Sequence, residues 1–251
     1  MSKLAKKLRQ VCESQFTPMG FRSSASRPGR QMLLIASLPG GKSGLFTQIN
    51  MAEVDAVLVH GKDVEDGEAL RQIASGMGDV PWGVWVGTMD SVDLKQLREA
   101  GGDFFILDSA SAPAVLLEEE ELAKVLKVSL SQDKELVGAV GDLPVDAVII
   151  DVKNDGVALT ISDLMYCQWL AGLVDKPLLV AAHKELTEGE VRALWEVGVI
   201  GVVIEVGGDK WQEVLARQSQ GIVNLPKRIK KRKESGPLLP QLGAESETDE
   251  D

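Results

Sequence analysis

Eight short apolar runs, separated by helical stretches, dominate the chain between residues 32 and 226. Most are apolar at every position rather than at alternate positions, which is typical of parallel strands covered on both faces. Eight strands alternating with helices in this length predict an α/β fold, a (β/α)8 TIM barrel. The predicted strands are Met32–Ser37, Ala56–His60, Gly83–Thr88, Phe104–Ser109, Val125–Leu130, Ala147–Val152, Leu178–His183 and Val202–Val206. The predicted helices include Ser91–Ala100, Ile161–Leu173, Glu188–Val197 and Trp211–Gln220.

An internal repeat supports this count of strands. The segment VDAVLVHGKD starts at Val54, and VDAVIIDVKND starts at Val145. Likewise LREAGGDFFILD starts at Leu97, and LWEVGVIGVVIE starts at Leu194. These pairs fall on strands two and six and on strands four and eight, so they predict two related half-barrels. The alternative is that unrelated βα units converge on this pattern, because each needs a glycine to end a helix before a buried strand.

The segments LREAGGDFFILD and LWEVGVIGVVIEVGG resemble the helix–glycine–strand units of the aldolase-type TIM-barrel superfamily. The resemblance extends over residues 32–226 and is one of fold. It includes no catalytic fingerprint of a particular enzyme family, so it implies the architecture without a specific activity.

Two flanking segments complete the predicted organisation. Residues 1–31 form an N-terminal extension with a predicted helix at Lys3–Ser14, and residues 32–226 form the barrel. The tail, residues 227–251, begins KRIKKRK and ends ESETDED. Because it has few large apolar groups and its charge is segregated, we expect a disordered basic-then-acidic tail. Its basic run is a candidate contact for an acidic partner.

Composition narrows the classes of protein that fit. The formal net charge of −11 disfavours nucleic-acid binding by the barrel itself. Only Cys12 and Cys167 are present, too few for a disulfide framework, which fits a reducing cytoplasm. No apolar run approaches the roughly 18–20 residues that span a bilayer, and the N-terminus lacks the apolar region of a secretory signal. Cofactor, metal and oligomeric state stay unknown at this point.

The candidate catalytic residues are the polar side chains at or near the carboxyl ends of the predicted strands. TIM-barrel active sites lie at that end, and charged groups there are costly to desolvate unless they are paired or face a wet cleft. The alternative is a structural network of lysine–carboxylate pairs. The set comprises His60, Lys62, Asp108, Asp151, Lys153, Lys184 and Glu205.

Lys153 is the candidate for covalent chemistry. In several class I aldolases of this fold the Schiff-base lysine lies on strand six, so the resemblance implies that role for Lys153. Burial beside other cations, such as Lys62 and Lys184, favours the neutral amine that attacks a carbonyl. A second hypothesis is a divalent metal held by the histidines and carboxylates at the strand ends. Those ligands would be His60, Asp108, Asp151, His183 and Glu205.

The stretch ASLPGGKS, residues 36–43, follows the first strand and has two possible interpretations. With an α-helix at Ser43–Glu53 it matches a loose phosphate-binding loop. As the first βα loop of a barrel it would place a cationic flap at the site mouth, and we favour this interpretation. Glycine amides after strand eight would also favour an anion. The predicted substrate- or anion-binding residues are Gly40, Gly41, Lys42, Thr88, Ser109, His183, Gly207 and Gly208.

The sequence thus predicts a small-molecule enzyme of aldolase-like TIM-barrel type. It would be a lyase or isomerase that acts on a carbonyl or phosphorylated metabolite. One alternative is a non-catalytic barrel that binds partners through its charged tail, and another is a P-loop nucleotide-binding protein. The five tryptophans are spread over strands and helices, which indicates packing rather than a platform for stacking bases.

Overall fold

The strands form one closed, fully parallel barrel in which each strand pairs with the next and β8 pairs with β1. The computed structural model describes residues 2–14, 30–39, 43–60, 67–86, 94–129, 134–152, 158–183, 185–207 and 210–226. The strands are β1 (Leu33–Leu38), β2 (Ala56–His60), β3 (Trp82–Val86), β4 (Phe104–Asp108), β5 (Ala123–Val128), β6 (Ala147–Val152), β7 (Leu178–Ala182) and β8 (Val199–Glu205). The predicted TIM barrel is confirmed.

The helices follow the strands, apart from one that precedes the barrel. They are α1 (Lys3–Ser14), α2 (Gly67–Met77), α3 (Leu94–Glu99), α4 (Lys134–Gly138), α5 (Ile161–Leu173), α6 (Glu188–Glu196) and α7 (Trp211–Val223). The threonine and glutamate spaced three residues apart at Thr187 and Glu190 predict a capping box, and the structure has one there at the start of α6. Thr160 with Asp163 forms a second one at the start of α5.

Several sequence-based assignments differ from the structure, and two of the differences are informative. Strand β8 begins at Val199 instead of Val202, because Gly201 pairs within the sheet and does not end it. The segment predicted as the α-helix Ser43–Glu53 is a short 3₁₀ helix, Ser43–Gln48. After β1 the described residues therefore do not build the strand–loop–α-helix unit that a phosphate-binding loop requires. Gly40, Gly41 and Lys42 lie outside the described residues.

Side chains alternate between two buried layers, as the two-residue period of a strand requires. One layer faces the helices that surround the barrel. The other fills the barrel interior and includes Ile35, Leu58, Ile106 and Ile149. Because interior positions recur at every second residue, this layer also identifies which side chains at the strand ends turn toward the barrel axis.

Helix α1 packs against the barrel interior with one apolar face. Its residues Leu4, Leu8 and Val11 are buried in the same cluster as the inward side chains of the strands. The carboxylate of Asp103, which directly precedes β4, caps this helix. It accepts hydrogen bonds from Ser2 Oγ at 2.6 Å and from the backbone amides of Lys3 and Leu4 at 2.6 and 2.7 Å.

Aspartates also precede β2 and β6, and each carboxylate ties its strand to the previous one. Asp55 accepts from the amide of Leu34 at 2.9 Å, and Asp146 accepts from the amide of Lys124 at 2.9 Å. These aspartates belong to the two VDAV segments, so equivalent residues of that sequence pair make equivalent bonds four strands apart. The half-barrel origin of the pair stays a prediction.

Replacing Asp103 by alanine should loosen α1. The variant loses three hydrogen bonds at the helix start, and such caps typically contribute about 1–2 kcal/mol. We expect the free energy of unfolding, measured by denaturant titration, to fall by that amount. As a control, Asp79→Ala removes a fully exposed carboxylate 3.8 Å from Lys3 Nζ and should leave the free energy of unfolding unchanged, because solvent screens such a pair. Equal effects of the two variants would contradict the capping role.

Gly83 in β3 is required by its neighbour on β4. A Cβ placed on Gly83 would lie 2.6 Å from the ring of Phe104, so no side chain fits without displacement. We expect Gly83→Ala to destabilise the fold by about 1–3 kcal/mol through overpacking, measured by the same titration. Gly141→Ala is the matched control, because nothing lies within 4 Å of its added methyl group. A harmless Gly83→Ala would show that β3 and β4 can separate.

Candidate active site

The last inward-facing position at the carboxyl end of each strand carries a polar or aromatic side chain. These positions continue the two-residue period of the interior layer by one more step. We call this set the mouth ring. Its members, in strand order, are Ser37, His60, Trp85, Asp108, Lys127, Asp151, His183 and Glu205.

His183 lies between two carboxylates of the mouth ring. Its Nε2 is 2.7 Å from Asp151 Oδ1, and its Nδ1 is 3.3 Å from Glu205 Oε2. Partial burial by itself lowers the pKa of His183, but the hydrogen bonds and negative charges of Asp151 and Glu205 outweigh it and raise the pKa above its usual value. The imidazolium form, in which both ring nitrogens donate, suits this geometry.

Lys127 extends the cluster toward the next strands. Its Nζ lies 3.6 Å from Asp151 Oδ2 and 4.9 Å from the centroid of the Trp85 ring. The ammonium group thus has a carboxylate and an aromatic face as neighbours, both of which favour a cation. The lysine side chain is only 22% exposed, so its ammonium group lies among the mouth-ring side chains and does not extend into solvent.

His60 occupies the other side of Trp85 along the ring. The two rings stack with centroids 5.4 Å apart and planes inclined by 17°. His60 Nε2 also shares a hydrogen bond of 2.9 Å with Ser37 Oγ. These contacts join side chains from seven of the eight strands in one series that runs from Ser37 to Glu205. Ser37 and Glu205, at its two ends, are register partners in the β1–β8 pair.

Asp108 is the member that the described contacts leave outside this series. Its carboxylate accepts from the amide of Ala110 at 2.9 Å, and its carbonyl oxygen accepts from the amides of Ser111 and Ala112. It therefore shapes the turn after β4. The described contacts of Asp108 are thus with its own loop, whereas Asp151 contacts the side chains of Lys127 and His183.

Apart from Asp108, the predicted site residues divide into three groups. Asp151, Glu205 and His183 lie together, and His60 belongs to the same series of contacts. Ser109 is exposed beyond β4, and Gly207 follows β8 with a φ of 130°, which suits glycine. The remainder lie outside the described residues: Gly40, Gly41, Lys42, Lys62, Thr88, Lys153, Lys184 and Gly208.

Trp85 and Lys127 were not among the predicted site residues. The predicted residues are those that close each apolar run, whereas the barrel places the last inward-facing residue of each strand at the mouth. Lys127 is the one charged residue in the run VLKV, and that interruption was the available signal. Its inward direction depends on the strand register, in which Lys127 pairs with Asp108 and Ile149.

No group of three or more histidine, cysteine, aspartate or glutamate side chains within the described ranges is arranged to hold a metal ion. Asp151 and Glu205 hydrogen-bond to the two imidazole nitrogens of His183, which are the atoms that would otherwise bind a metal ion. None of the described helices combines the length and apolar character needed to cross a membrane.

A cleft of about 740 Å³ opens at the opposite end of the barrel, beside α1. Leu8, Asp146, Lys176 and Ile200 are among its lining residues, and no mouth-ring residue lines it. Because the charged and hydrogen-bonded side chains converge at the carboxyl ends, the candidate active site is assigned there by chemistry and not by cavity size.

The pKa of His183 can be tested by NMR titration of its ring protons. We expect it to titrate above the usual value of about 6.5 and to shift downward in Asp151→Asn. Because the pKa is raised on folding, the contribution of His183 to stability is full below about pH 6.5 and is lost as pH rises through the folded-state pKa. Glu185→Gln removes a nearby carboxylate that pairs with Arg217 and should leave the titration unchanged. A titration below 6.5 would contradict this assignment.

Comparisons with known proteins identify the fold. No family model matches the chain, and no curated protein matches its sequence. A tryptophan synthase structure from M. tuberculosis aligns with a TM-score of 0.63 at 14% identity, covering 90% of this chain and 100% of that one. A tryptophan synthase α-subunit from Pyrococcus furiosus aligns with a TM-score of 0.60 at 14% identity, covering 77% and 98%. A protein from Aquifex aeolicus VF5 aligns with a TM-score of 0.58 at 15% identity, covering 91% and 97%. At this level of identity the similarity is one of fold, and it is the TIM-barrel fold that these structures share with the chain.

Proposed function

We propose that this barrel is a small-molecule enzyme that uses acid–base chemistry, as a lyase or isomerase acting on a carbonyl or phosphorylated metabolite. The observation that carries the proposal is His183, held between Asp151 and Glu205 on the inward-facing ring at the carboxyl ends of the strands. A histidine with a raised pKa, in the location where TIM barrels react their substrates, is a candidate general acid.

The two bonds to His183 differ in a way that supports a division of roles. Asp151 is 19% exposed and bonds Nε2 at 2.7 Å, whereas Glu205 is 43% exposed and lies 3.3 Å from Nδ1. The longer, more exposed bond to Glu205 costs less free energy to break, so a substrate oxygen can replace it more readily than the bond to Asp151. In the proposed reaction Asp151 orients the imidazolium, and Nδ1–H donates its proton to a carbonyl or leaving oxygen.

Glu205 and His60 are the proposed proton acceptors. Once a substrate oxygen takes its place at Nδ1, the Glu205 carboxylate is available to remove a proton from an adjacent carbon. His60 is oriented by the Ser37 hydroxyl and by the Trp85 ring, so it has a defined position for the same task. A defined position matters, because proton transfer requires hydrogen-bond reach of the atom that reacts.

Lys127 is the proposed binding group for a negatively charged part of the substrate. It carries its charge at the mouth and already contacts the Asp151 carboxylate at 3.6 Å. The anion-binding residues proposed from the sequence, among them Lys42, Ser109 and Gly207, would act with it. Two loops that supply glycine amides, together with the cations Lys127 and Lys42, would suit a phosphate or carboxylate.

A covalent variant of this mechanism uses a Schiff base on a lysine. Lys153 is the residue that the sequence predicts for this role. Lys127 is a second candidate, because it belongs to the mouth ring. An ion-paired ammonium must lose its proton before it can attack a carbonyl, so acid–base chemistry through His183 needs fewer steps here. Borohydride reduction with a carbonyl substrate, followed by peptide mapping, would separate the two, because only the covalent route leaves an adduct on a lysine.

The decisive measurement is hydrogen exchange at carbon in deuterated water. We expect the protein to catalyse exchange or cleavage of at least one member of a panel of keto acids and sugar phosphates, followed by proton NMR. His183→Gln should lower that rate about 10²–10⁴-fold, the range that a general acid or base contributes. Asp151→Asn should lower the rate too and move its pH profile, since the imidazolium loses its partner.

Glu185→Gln is the matched control for these variants. Glu185 follows β7 closely, as His183 does, but it pairs with Arg217 at 3.1 Å and lies off the mouth ring. The control should keep the wild-type rate. A rate that His183→Gln leaves unchanged, or a panel in which no compound exchanges or binds, would refute the acid–base proposal.

A further inference from the structure

The cleft at the amino end of the barrel, beside α1, takes no part in the proposed chemistry. Its volume of about 740 Å³ is that of a binding site and not of a packing defect. Leu8, Val174 and Ile200 form part of its apolar wall. Its charged lining residues are two cations and two carboxylates: Arg9, Lys176, Asp146 and Asp175. The cleft therefore offers apolar surface without a surplus of either charge.

A surplus of positive charge lies next to the cleft, along α1. The segment Lys3–Ser14 holds four basic residues and one acidic residue, whereas the whole chain carries a net charge of −11. Two of the four, Lys3 and Lys7, have carboxylate neighbours at 3.8 and 3.9 Å. Lys6 and Arg9 are exposed, and within the described part of the chain no carboxylate forms an ion pair with either. This edge of the cleft suits a negatively charged occupant.

The tail of the chain carries the complementary pattern in the matching order. Residues 238–242 read LLPQL and hold three leucines. Residues 245–251 read ESETDED and hold five carboxylate side chains and no basic one. An apolar group followed within three residues by an acidic group fits an apolar cleft that lies beside a basic helix.

Helix α7, which precedes the tail, brings the chain back to the amino end of the barrel. Arg30, just before β1, donates from its guanidinium to Ser219 Oγ of α7 at 2.9 Å. Leu33 of β1 pairs with Gly201 of β8, and the residue before Gly201 is Ile200, which lines the cleft. Because paired strands lie about 4.8 Å apart, the last turns of α7 lie one strand away from the cleft.

The tail is long enough to reach the cleft. The described residues end at Pro226, twelve residues before Leu238. An extended chain spans about 3.3 Å per residue, so this connection covers up to about 40 Å, more than the roughly 30 Å diameter of a small domain. Covalent attachment also gives the tail a high effective concentration at the cleft, on the order of 1 mM.

We propose that residues 238–251 bind this end of the barrel, with LLPQL in the cleft and the acidic end along α1. The leucines bury apolar surface, and the carboxylates face Lys6 and Arg9. A second copy of the chain would bring its own net charge of −11 to the contact and would lack the advantage of the tether. The bound tail covers the cleft and adds contacts to α1, which packs against the barrel interior.

Cys12 lines the cleft and reports whether it is covered. The other cysteine, Cys167, is buried, and burial raises the pKa of its thiol to about 12. A thiol reagent therefore reacts first with Cys12 in the folded protein. The rate of its reaction with N-ethylmaleimide, followed by mass spectrometry, measures how much of the time the cleft is open.

Replacing Leu238, Leu239 and Leu242 together by serine in the full chain should release the tail. If the untethered segment binds with a Kd of about 0.1 mM, the tethered one covers the cleft for about nine-tenths of the time, and the triple variant should react about tenfold faster at Cys12. Ile229→Ser is the matched control, because it removes an apolar side chain from the tail outside the proposed segment. It should leave the rate unchanged.

A labelled peptide of residues 236–251, added to the triple variant, tests the location of the contact. It should bind in fluorescence anisotropy and slow the reaction of Cys12. Lys6→Gln and Arg9→Gln should each weaken its binding about two- to fivefold, the effect of an exposed charge pair. Lys95→Gln removes the same charge from an exposed position of α3 that does not line the cleft, and it should leave the affinity unchanged.

Three results would overturn the proposal. One is an equal rate at Cys12 in wild type and in the triple variant, with circular dichroism establishing that both are folded. Another is protection of Cys12 that disappears on dilution, because the cover would then come from a second copy. The third is peptide binding that depends on the basic run at residues 227–233 and not on Lys6 and Arg9, because the acidic end would then pair with its own tail.

Discussion

Closure of β1 onto β8 is the contact on which the rest of the structure depends. It pairs Ser37 with Glu205 and so joins the two ends of an eight-strand sheet into a barrel. In a closed barrel every strand has one face toward the axis, and the inward residues at the carboxyl ends meet around a single mouth. Without closure, Ser37 and Glu205 would lie at opposite edges of an open sheet.

The two ends of the barrel use their carboxylates differently. At the amino ends Asp55, Asp103 and Asp146 accept hydrogen bonds from backbone amides and tie strands or α1 in place. At the carboxyl ends Asp151 and Glu205 bond to a titratable side chain, His183. A carboxylate that bonds to a backbone amide holds a strand or helix in place, whereas one that bonds to a histidine raises the pKa of that histidine. The carboxylates at the amino ends of the strands therefore contribute to stability, and those at the carboxyl ends belong to the proposed chemistry.

Membership of the mouth ring was partly predictable from the sequence because apolar runs end in polar residues where strands leave the core. His60, Asp151 and Glu205 were found in this way, and His183 was found as a binding residue and not as the centre of a carboxylate pair. Trp85 looked like a packing residue, since an aromatic ring within an apolar strand gives no sign of facing the mouth. Lys127 lies within its strand, so it is not among the residues that close the apolar runs. Asp108 matched the pattern equally well but turns to its own loop, which depends on the local hydrogen bonds of residues 110–112.

By itself, the sequence determined the architecture, because uninterrupted apolar runs and helix-ending glycines are local features that require a covered parallel sheet. It also determined the capping box before α6 and the bounds of β2, β6, α1 and α5, all of which rest on local patterns. Only the tertiary structure decided which strand-end groups meet. Strand register sets whether a side chain faces inward, and a shift of one residue would turn Lys127 from the axis to the helices. The partnership of Asp151, His183 and Glu205 comes from three consecutive strands brought side by side by pairing across the barrel, a relation between positions 32 and 22 residues apart that no local pattern encodes.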